Sequence, residues 1–291
     1  MRSYVSPHLR PVGVALIAAL LLTPGAARAS LFGIERDTGR LYHISVDNAA
    51  LDLIGETGLS NVGALEYHPG EGVFYALTMG VSSISSLYRI RLAEDRGIDS
   101  VEQVGLLGIY CYEGGLAFAP DGTAYALNGG STLARLMTIN LETGQATVVN
   151  PMEAHHDING LGWRADGMLI GLDATTQTIR VINPATAAST ALRTVTITPG
   201  VGTYGGMAVP PEGATGYFVT GGPGAPNAGS NALYSFNVNT GEYLLIGSFP
   251  TSNGQHVIAG EGFSGLAFVP EPATLLLLVA ATPLVLRRRR R

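Results

Sequence analysis

Short apolar segments separated by Gly, Pro, Asp and Asn run through the chain, and none sustains the 3.6-residue apolar period of a helix. One phrase recurs among them, a glycine followed by a compact apolar strand. It occurs at Gly63–Tyr67, Gly115–Phe118, Gly160–Trp163, Gly206–Val209 and Gly265–Phe268, with its glycines 52, 45, 46 and 59 residues apart. A repeat of this length is typical of the four-stranded blade of a β-propeller.

The same order of turns and strands follows each phrase, as the second repeat shows. After the phrase come a turn at Pro120–Gly122, a second strand at Ala124–Leu127 and a third strand at Leu136–Ile139. A hairpin turn at Glu142–Gly144 then leads to a fourth strand at Ala146–Val149. Pro and Gly occupy positions whose backbone angles such turns require. Each repeat therefore predicts one antiparallel sheet of four strands.

The two ends of the body supply the parts of one further blade. Leu31–Ile34, Leu41–Ile44 and Leu51–Gly55 match second, third and fourth strands with no first strand before them, and Gly265–Phe268 is a first strand with nothing after it except a tail. We therefore predict an all-β, five-bladed β-propeller in which strands from both termini close one blade and remove the exposed edges. Six blades are the alternative, because the 52- and 59-residue intervals would accommodate further strands.

The turns of the body also bear a loose resemblance to a known class. The Pro-Asp-Gly turn at Pro120–Gly122 and the Thr-Gly turns at Thr143 and Thr240 are similar to those of secreted NHL- and YVTN-type propellers. The resemblance implies the architecture only, and it transfers no catalytic residue to this chain.

The first 29 residues have the organisation of a secretory signal peptide. Arg2 and Arg10 give a positive start, Val12–Leu22 is an apolar stretch, and Ala27–Ala29 supplies the small residues that a signal peptidase reads. Cleavage would follow this last segment. We therefore assign residues 1–29 to a signal helix that is removed on export, and exclude them from the fold.

The last 22 residues combine a Pro-Glu-Pro, an apolar run and an arginine cluster. The apolar run, Ala273–Leu286, is 14 residues long and would span roughly 21 Å as a helix, less than a hydrocarbon layer of about 30 Å. Pro283 weakens it further as a continuous helix. This combination resembles the PEP-CTERM sorting signal, whose positions here are Pro270, Glu271, Pro272, Arg287, Arg288, Arg289, Arg290 and Arg291.

The resemblance implies an exported protein of a Gram-negative bacterium. An exosortase-type membrane enzyme would recognise the tail, residues 270–291, and remove it near the Pro-Glu-Pro after the short hydrophobic helix has held the chain transiently in the inner membrane. The body, residues 30–269, would then act at the cell surface or in the exopolysaccharide matrix of a biofilm. The alternative is a transmembrane helix that serves as a plain anchor, with its arginines on the cytoplasmic side.

The body is strongly acidic. Nine arginines and 21 acidic residues between Ser30 and Val269 give it a formal charge of −12, and the chain contains no lysine. That balance excludes nucleic acid and anionic membrane surfaces as partners, because both require basic surface. The only cysteine, Cys111, leaves no internal disulfide, so the core alone must hold the fold. Its neighbours are two tyrosines and a glutamate, so we expect a buried side chain and not a nucleophile.

The loops that lead into the first strands carry most of the polar candidates. In a propeller the first strands line the central channel, and these loops meet at one mouth of it, which we call the start face. The candidate ligand-binding residues there are Asn61, Tyr112, Glu113, His156, Asp157, Asn159, Tyr204 and Glu261. Their carboxylate and amide oxygens are ligands of the kind that calcium takes. A divalent cation is the only cofactor that they suggest, with Glu113 and Asp157 as its best ligands.

Three interpretations of the start face stay open. The polar side chains satisfy loop backbone and water, or they bind a small polar ligand, a glycan or a hard cation. In the third interpretation, Asp157, Glu113 and a histidine hold the metal of a hydrolase or lactonase. Adjacent His155 and His156 would point to opposite faces of an extended strand, and no nucleophile-elbow or zinc-protease motif occurs. No catalytic residue is therefore assigned.

Aromatic side chains near the first strands offer surfaces on which sugar rings stack. Trp163, however, lies inside a predicted strand, and we expect it to pack between blades. The function that the sequence favours is structural or ligand-binding. The expected partners are a signal peptidase, an exosortase-type enzyme, and exopolysaccharide or surface proteins.

Overall fold

The structure is a computed structural model, and the residues that it describes are 30–80, 85–94, 96–111, 114–128, 134–152, 157–196, 204–210, 213–220, 231–249, 251–252, 255–256 and 262–270. At 204, 251–252 and 255–256 only the backbone is described. These ranges contain no helix, and hence none long and apolar enough to cross a membrane. The signal helix and the hydrophobic helix predicted at the two ends lie outside them.

Five four-stranded antiparallel sheets make up the fold. Blade 1 contains β4 (Val62–His68), β5 (Val73–Thr78), β6 (Ser86–Leu92) and β7 (Ile98–Leu106). Blade 2 contains β8 (Leu116–Phe118), β9 (Ala124–Asn128), β10 (Arg135–Ile139) and β11 (Ala146–Pro151). Blade 3 contains β12 (Ile158–Trp163), β13 (Leu169–Asp173), β14 (Thr178–Ile182) and β15 (Ser189–Thr194). Blade 4 contains β16 (Tyr204–Ala208), β17 (Thr215–Thr220), β18 (Ala232–Asn237) and β19 (Tyr243–Ser248). Blade 5 contains β22 (Phe263–Val269), β1 (Ser30–Glu35), β2 (Arg40–Ile44) and β3 (Leu51–Glu56).

The first strand of each blade lies innermost. β4, β8, β12, β16 and β22 each contact the next around a closed ring, and the other three strands of every sheet follow outward in order. The five-bladed β-propeller is thereby confirmed. The 59-residue interval holds one short two-stranded hairpin, β20 (Thr251–Ser252) with β21 (Gln255–His256), and its described residues form no sixth four-stranded blade.

Strands from the two ends of the body close blade 5. β22 and β1 pair antiparallel from Ser30 opposite Val269 to Glu35 opposite Phe263, with a register shift at the last step. Gly33 lies opposite Leu266, as the predicted closure requires. A pairing between such distant segments ties the ring together without a disulfide.

Apolar side chains fill the five spaces between neighbouring blades. Alternation along each strand sends side chains to both faces of its sheet, and each face meets that of the next blade. Between blades 5 and 4, Leu31, Ile44 and Leu266 pack with Leu233 and Phe249, and each of these side chains is at most 2% exposed. Equivalent clusters occur at the four other interfaces. The core is therefore a ring of five interfaces, not one central mass.

Glycines bring the first strands into main-chain contact at the axis. A Cβ on Gly115 would lie 2.2 Å from the backbone N of Leu161 in the next blade. The equivalent positions in the other blades hold Gly160, Gly206, Gly265 and Ala64. The space between them is too narrow to admit a water molecule. The expected open channel is therefore wrong at this level, because backbone closes the axis and separates the start face from the opposite face.

Candidate functional site

The structure places part of the predicted start-face site. Asn61 and Asp157 immediately precede β4 and β12, Asn159 lies within β12, and Tyr204 begins β16 with only its backbone described. The backbone carbonyl of Asn61 accepts the N–H of Met79 at 2.6 Å, and that of Asp157 accepts the N–H of Ala174 at 2.7 Å. These two residues therefore hold loop geometry, whatever their side chains bind.

The other predicted start-face residues are Tyr112, Glu113, His156 and Glu261, and they lie outside the described residues.

Buried side-chain oxygens mark the described part of the start face. Asn159 and Asn128 are 6% and 5% exposed, and the Oδ1 atom of each has no hydrogen-bond partner among the described residues. Ser264 Oγ is also buried and has no hydrogen-bond partner among the described residues. A buried oxygen without a partner costs free energy until a ligand or water satisfies it. No three His, Cys, Asp or Glu side chains of the described residues come together as a metal site, so the calcium site stays a prediction.

Cys111 has the buried setting that its neighbours in sequence predict. Its side chain is 3% exposed, and its Sγ donates to the carbonyl oxygen of Leu127 at 3.4 Å. Burial raises the pKa of the thiol to about 12. The thiolate is the reactive form of cysteine, so this residue is a packing element of blade 2.

A cavity of about 420 Å³ opens on the face opposite the start face. It lies where the first strands end and turn toward the second strands, and we call it the exit funnel. All five blades contribute to it. Its lining consists of Glu66, Tyr67, His68, Pro69, Gly70, Phe118, Ala119, Pro120, Asp121, Gly122, Trp163, Ala165, Val209, Phe268 and Pro270.

The wall of the exit funnel is an aromatic collar. Equivalent positions of the five first strands, three residues beyond the axial ring of glycines and Ala64, hold Tyr67, Phe118, Trp163, Val209 and Phe268. Each aromatic member is fixed by a second ring behind it: Tyr67 by Phe74 at 5.2 Å, Phe118 by Tyr75 at 5.7 Å, Trp163 by Tyr125 at 5.6 Å and Phe268 by Tyr217 at 5.4 Å between ring centroids. The collar is thus held before any ligand arrives.

One carboxyl stands at the base of the exit funnel. Glu66 keeps some accessible surface because it lines the cavity, while protein surrounds it on its other sides. Its Oε1 accepts the N–H of Tyr67 at 2.9 Å. Burial raises the pKa of Glu66 well above its usual range, and the Tyr67 hydrogen bond only partly opposes that shift. Glu66 is therefore a group that resists ionisation.

Polar groups of the turns form the rim of the exit funnel. His68 packs edge-on against Phe118, with 4.7 Å between ring centroids, and its Nδ1 accepts the N–H of Glu71 at 3.1 Å. The N–H of Thr123 donates to Asp121 at 2.9 Å, and this bond holds the pKa of the Asp121 carboxyl below its usual value. The rim therefore carries an imidazole and an ionised carboxylate.

A family profile described as a repeat of unknown function, DUF6923, matches residues 32–225. That match spans about two-thirds of the chain. The chain belongs to the DUF6923 family. The search of curated proteins found no match to this DUF6923 chain.

Several solved structures share the fold of this DUF6923 chain. One chain of a nidogen–laminin complex is 12% identical with a TM-score of 0.50, over 83% of this chain and 98% of that one. A protein of unknown function from Bacteroides thetaiotaomicron is 15% identical with a TM-score of 0.54, over 82% of this chain and 61% of that one. The periplasmic gluconolactonase of Pseudomonas aeruginosa is 13% identical with a TM-score of 0.45, over 75% and 66%. The similarities to the first two of these structures show the fold alone.

Sequence reasoning missed the exit funnel of this DUF6923 chain, although its signal is present. The repeated phrase ends in an aromatic residue in four of its five occurrences, and a proline follows two residues later in three of those. We expected Trp163 to pack between blades. It does contact the core between blades 2 and 3, but it also lines the funnel.

Proposed function

We propose that this protein is an exported propeller that binds an uncharged, ring-shaped ligand in the exit funnel, and that this ligand is the exposed sugar unit of a surface glycan. The observation that carries the proposal is the aromatic collar, which presents rings from four blades at one height around one cavity. A structural role alone gives no reason for three half-buried aromatic side chains, Tyr67, Phe118 and Trp163, to face a shared opening.

The size and composition of the exit funnel support a small-molecule site. Its volume of about 420 Å³ falls within the range of about 300–1,000 Å³ typical of ligand pockets. Such pockets are mainly apolar with a few placed polar groups, and here Glu66, His68 and Asp121 are those groups. The C–H faces of a sugar ring would stack on Phe118 and Trp163, while its hydroxyls would meet the polar groups.

The charges around the exit funnel favour an uncharged ligand. No arginine belongs to its lining, and Asp121 at the rim is a carboxylate. An anionic sugar would therefore lose its hydration without gaining a cationic partner.

We expect the protein to act at the cell surface or in the extracellular matrix of a Gram-negative bacterium, where exopolysaccharide would supply the ligand. The signal-peptide pattern of residues 1–29 and the sorting pattern of residues 270–291 support this place. A signal peptidase and an exosortase-type enzyme are the processing partners. Pro270, the first residue of the sorting signal, lines the funnel, while Glu271–Arg291 lie outside the described residues.

Processing at both ends gives a direct test of this location. Intact-mass measurement of the protein recovered from the producing bacterium should show that residues 1–29 are absent and that the carboxyl terminus lies near Pro270. Deletion of the exosortase gene should restore the mass of the arginine-bearing tail. A mature protein of unchanged mass in both strains would contradict the sorting proposal and support a plain anchor.

Trp163 provides the readout for ligand binding, because it is the only tryptophan of the chain and lines the exit funnel. Methyl glycosides of neutral sugars, titrated into residues 30–270, should change its fluorescence saturably. Ala165→Tyr, which adds a ring at the exposed rim without removing a core contact, should weaken binding about tenfold or more by blocking the opening.

Ala185→Tyr is the matched control for this test. Ala185 is also exposed in a turn of blade 3, but outside the funnel lining, so this change should leave the affinity unaltered. Equal weakening by both substitutions would show that the sugar binds elsewhere. Tyr110→Ala, which removes an exposed aromatic ring just before β8, should likewise have no effect on binding.

A further inference from the structure

The base of the exit funnel holds one carboxyl among small side chains. Two residues beyond the axial ring of glycines and Ala64, the five first strands place Glu66, Ala117, Gly162, Ala208 and Ala267. Four of these positions therefore carry at most a methyl group. Ala117, Ala208 and Ala267 are buried in the core, and of these five residues only Glu66 lines the cavity, where it offers a polar group to a ligand.

The surroundings of Glu66 determine which hydrogen bonds it makes. A protonated carboxyl supplies one O–H donor in addition to its acceptors, whereas a carboxylate only accepts. Burial raises the pKa of Glu66 well above its usual range, so the protonated form persists to higher pH than in an exposed glutamate. In an apolar cavity a hydrogen bond is electrostatically stronger than in water.

We propose that the protonated carboxyl of Glu66 donates a hydrogen bond to an oxygen of the bound sugar, and that the exit funnel releases the sugar when Glu66 ionises. This inference rests on the proposed function, since it requires the exit funnel to be the sugar site. Ionisation removes the O–H donor of Glu66 and leaves a charge that repels the lone pairs of the ligand oxygen. Binding should therefore be strong in mildly acidic surroundings and weaken as the pH rises.

The other titratable groups around the exit funnel are few. Tyr67 and His68 share β4 with Glu66, Tyr75 lies opposite Glu66 on β5, and Asp121 lies in the turn after β8. The remaining first strands, β12, β16 and β22, contribute no charged side chain to the lining.

The two phenols and the carboxylate among these neighbours do not share the titration proposed for Glu66. Burial raises the pKa of Tyr67, and burial together with Glu71 raises that of Tyr75 to about 12, so both phenols stay protonated. Asp121 is ionised throughout. His68 lines the same cavity, so a variant without its imidazole serves as a control.

The experiment compares wild type with Glu66→Gln, Glu66→Met and His68→Asn, using the neutral methyl glycosides and Trp163 fluorescence at about pH 6 and about pH 9. Wild type should lose about tenfold in affinity between the two, because a hydrogen bond is exchanged for an unpaired charge. Glu66→Gln keeps an amide donor and should bind equally at both. Glu66→Met should bind weakly at both, and His68→Asn should retain the wild-type fall.

Every other result contradicts either this inference about Glu66 or the proposed function on which it rests. A fall in affinity that survives in Glu66→Gln, or disappears in His68→Asn, would assign the pH dependence to another group and overturn the inference. A wild-type affinity equal at both pH values would overturn it as well. Failure of every glycoside to bind wild type at any pH would instead contradict the proposed function.

A ligand-free measurement tests the same protonation state. Because the pKa of Glu66 is higher in the folded than in the unfolded chain, its contribution to stability is present below the usual glutamate pKa and is lost as the pH rises through the folded value. The melting temperature of wild type should therefore fall over that window relative to Glu66→Gln. Parallel melting curves of the two proteins against pH would overturn the inference, whatever the ligand.

Discussion

Ending the chain after Gly262 should abolish cooperative folding. This truncation removes β22, whose Phe263, Leu266 and Phe268 are at most 5% exposed and fill the interface of blade 5 with blade 4. Loss of each such side chain costs about 2–5 kcal/mol, and the whole fold is worth about 5–15 kcal/mol. The loss therefore exceeds what the remaining strands can sustain. Circular dichroism and thermal melting of residues 30–262 would check this expectation.

The control for this truncation ends the chain at Pro270 instead. Residues 30–270 contain every described strand and should melt in a single sharp transition, because nothing that pairs with β1 is removed. A cooperative transition in residues 30–262 would contradict the role of β22 in closing the ring. The two truncated proteins differ only in residues 263–270, so any difference in their folding is due to these eight residues.

Gly115→Ala should destabilise the fold by about 3 kcal/mol or more. Its new Cβ would lie 2.2 Å from Leu161 N and 2.4 Å from Gly160 C, and both of these are main-chain atoms of an inner strand that is itself held by the next blade. No flexible side chain can move aside, so the ring of first strands must open. Urea unfolding of the purified variant, followed by far-ultraviolet circular dichroism, measures the loss.

Gly167→Ala separates steric overlap from backbone preference. Gly167 has a φ of +82°, yet a Cβ there would have nothing within 4 Å. An alanine should cost only about 1–2 kcal/mol, the penalty of a left-handed conformation. If Gly115→Ala proved no more damaging than Gly167→Ala, the close approach of the first strands at the axis would be refuted.

The fold could be predicted from the sequence because each blade repeats both its apolar strand segments and the turn residues between them. The interval from Gly115 to Gly160 contains four apolar segments separated by turn residues, and each segment forms one strand of blade 2. The closure of blade 5 also followed from the sequence, since a lone first strand at one end and three strands at the other can satisfy their edges only by pairing.

Details of the turns were harder to predict because different residues adopt the same conformation. Gly144 and Gly241 have positive φ in the hairpins of blades 2 and 4, and in both hairpins the Thr-Gly dipeptide predicts the turn. Ala49 and Ala187 hold the corresponding positions of blades 5 and 3 with φ of 59° and 60°. Alanine rarely adopts this conformation, so the sequence at Ala49 and Ala187 does not indicate that these hairpins share the turn of Gly144 and Gly241.

The candidate site could be predicted only in part, for a physical reason. Polar residues near the start of a strand suggest a ligand site by their chemistry, and Asp157 and Asn159 are therefore predicted to bind a ligand. An aromatic residue at the end of a strand has the same sequence signature whether it fills a core or faces an opening. Only the position of Trp163 relative to the ends of four other strands distinguishes the two, and that position requires the folded ring.

The pairing of Ser30 with Val269 also determines when, during synthesis of the chain, blade 5 can close. At a synthesis rate of about 5–20 residues per second, roughly 12–48 s pass between the two partners. Throughout that interval the free edge of β1 is available to any other extended segment. Under the proposed export, the ring would close only once the final strand had followed the rest of the body across the membrane. A chaperone that shields strand edges would then bind near the amino terminus of the emerging chain.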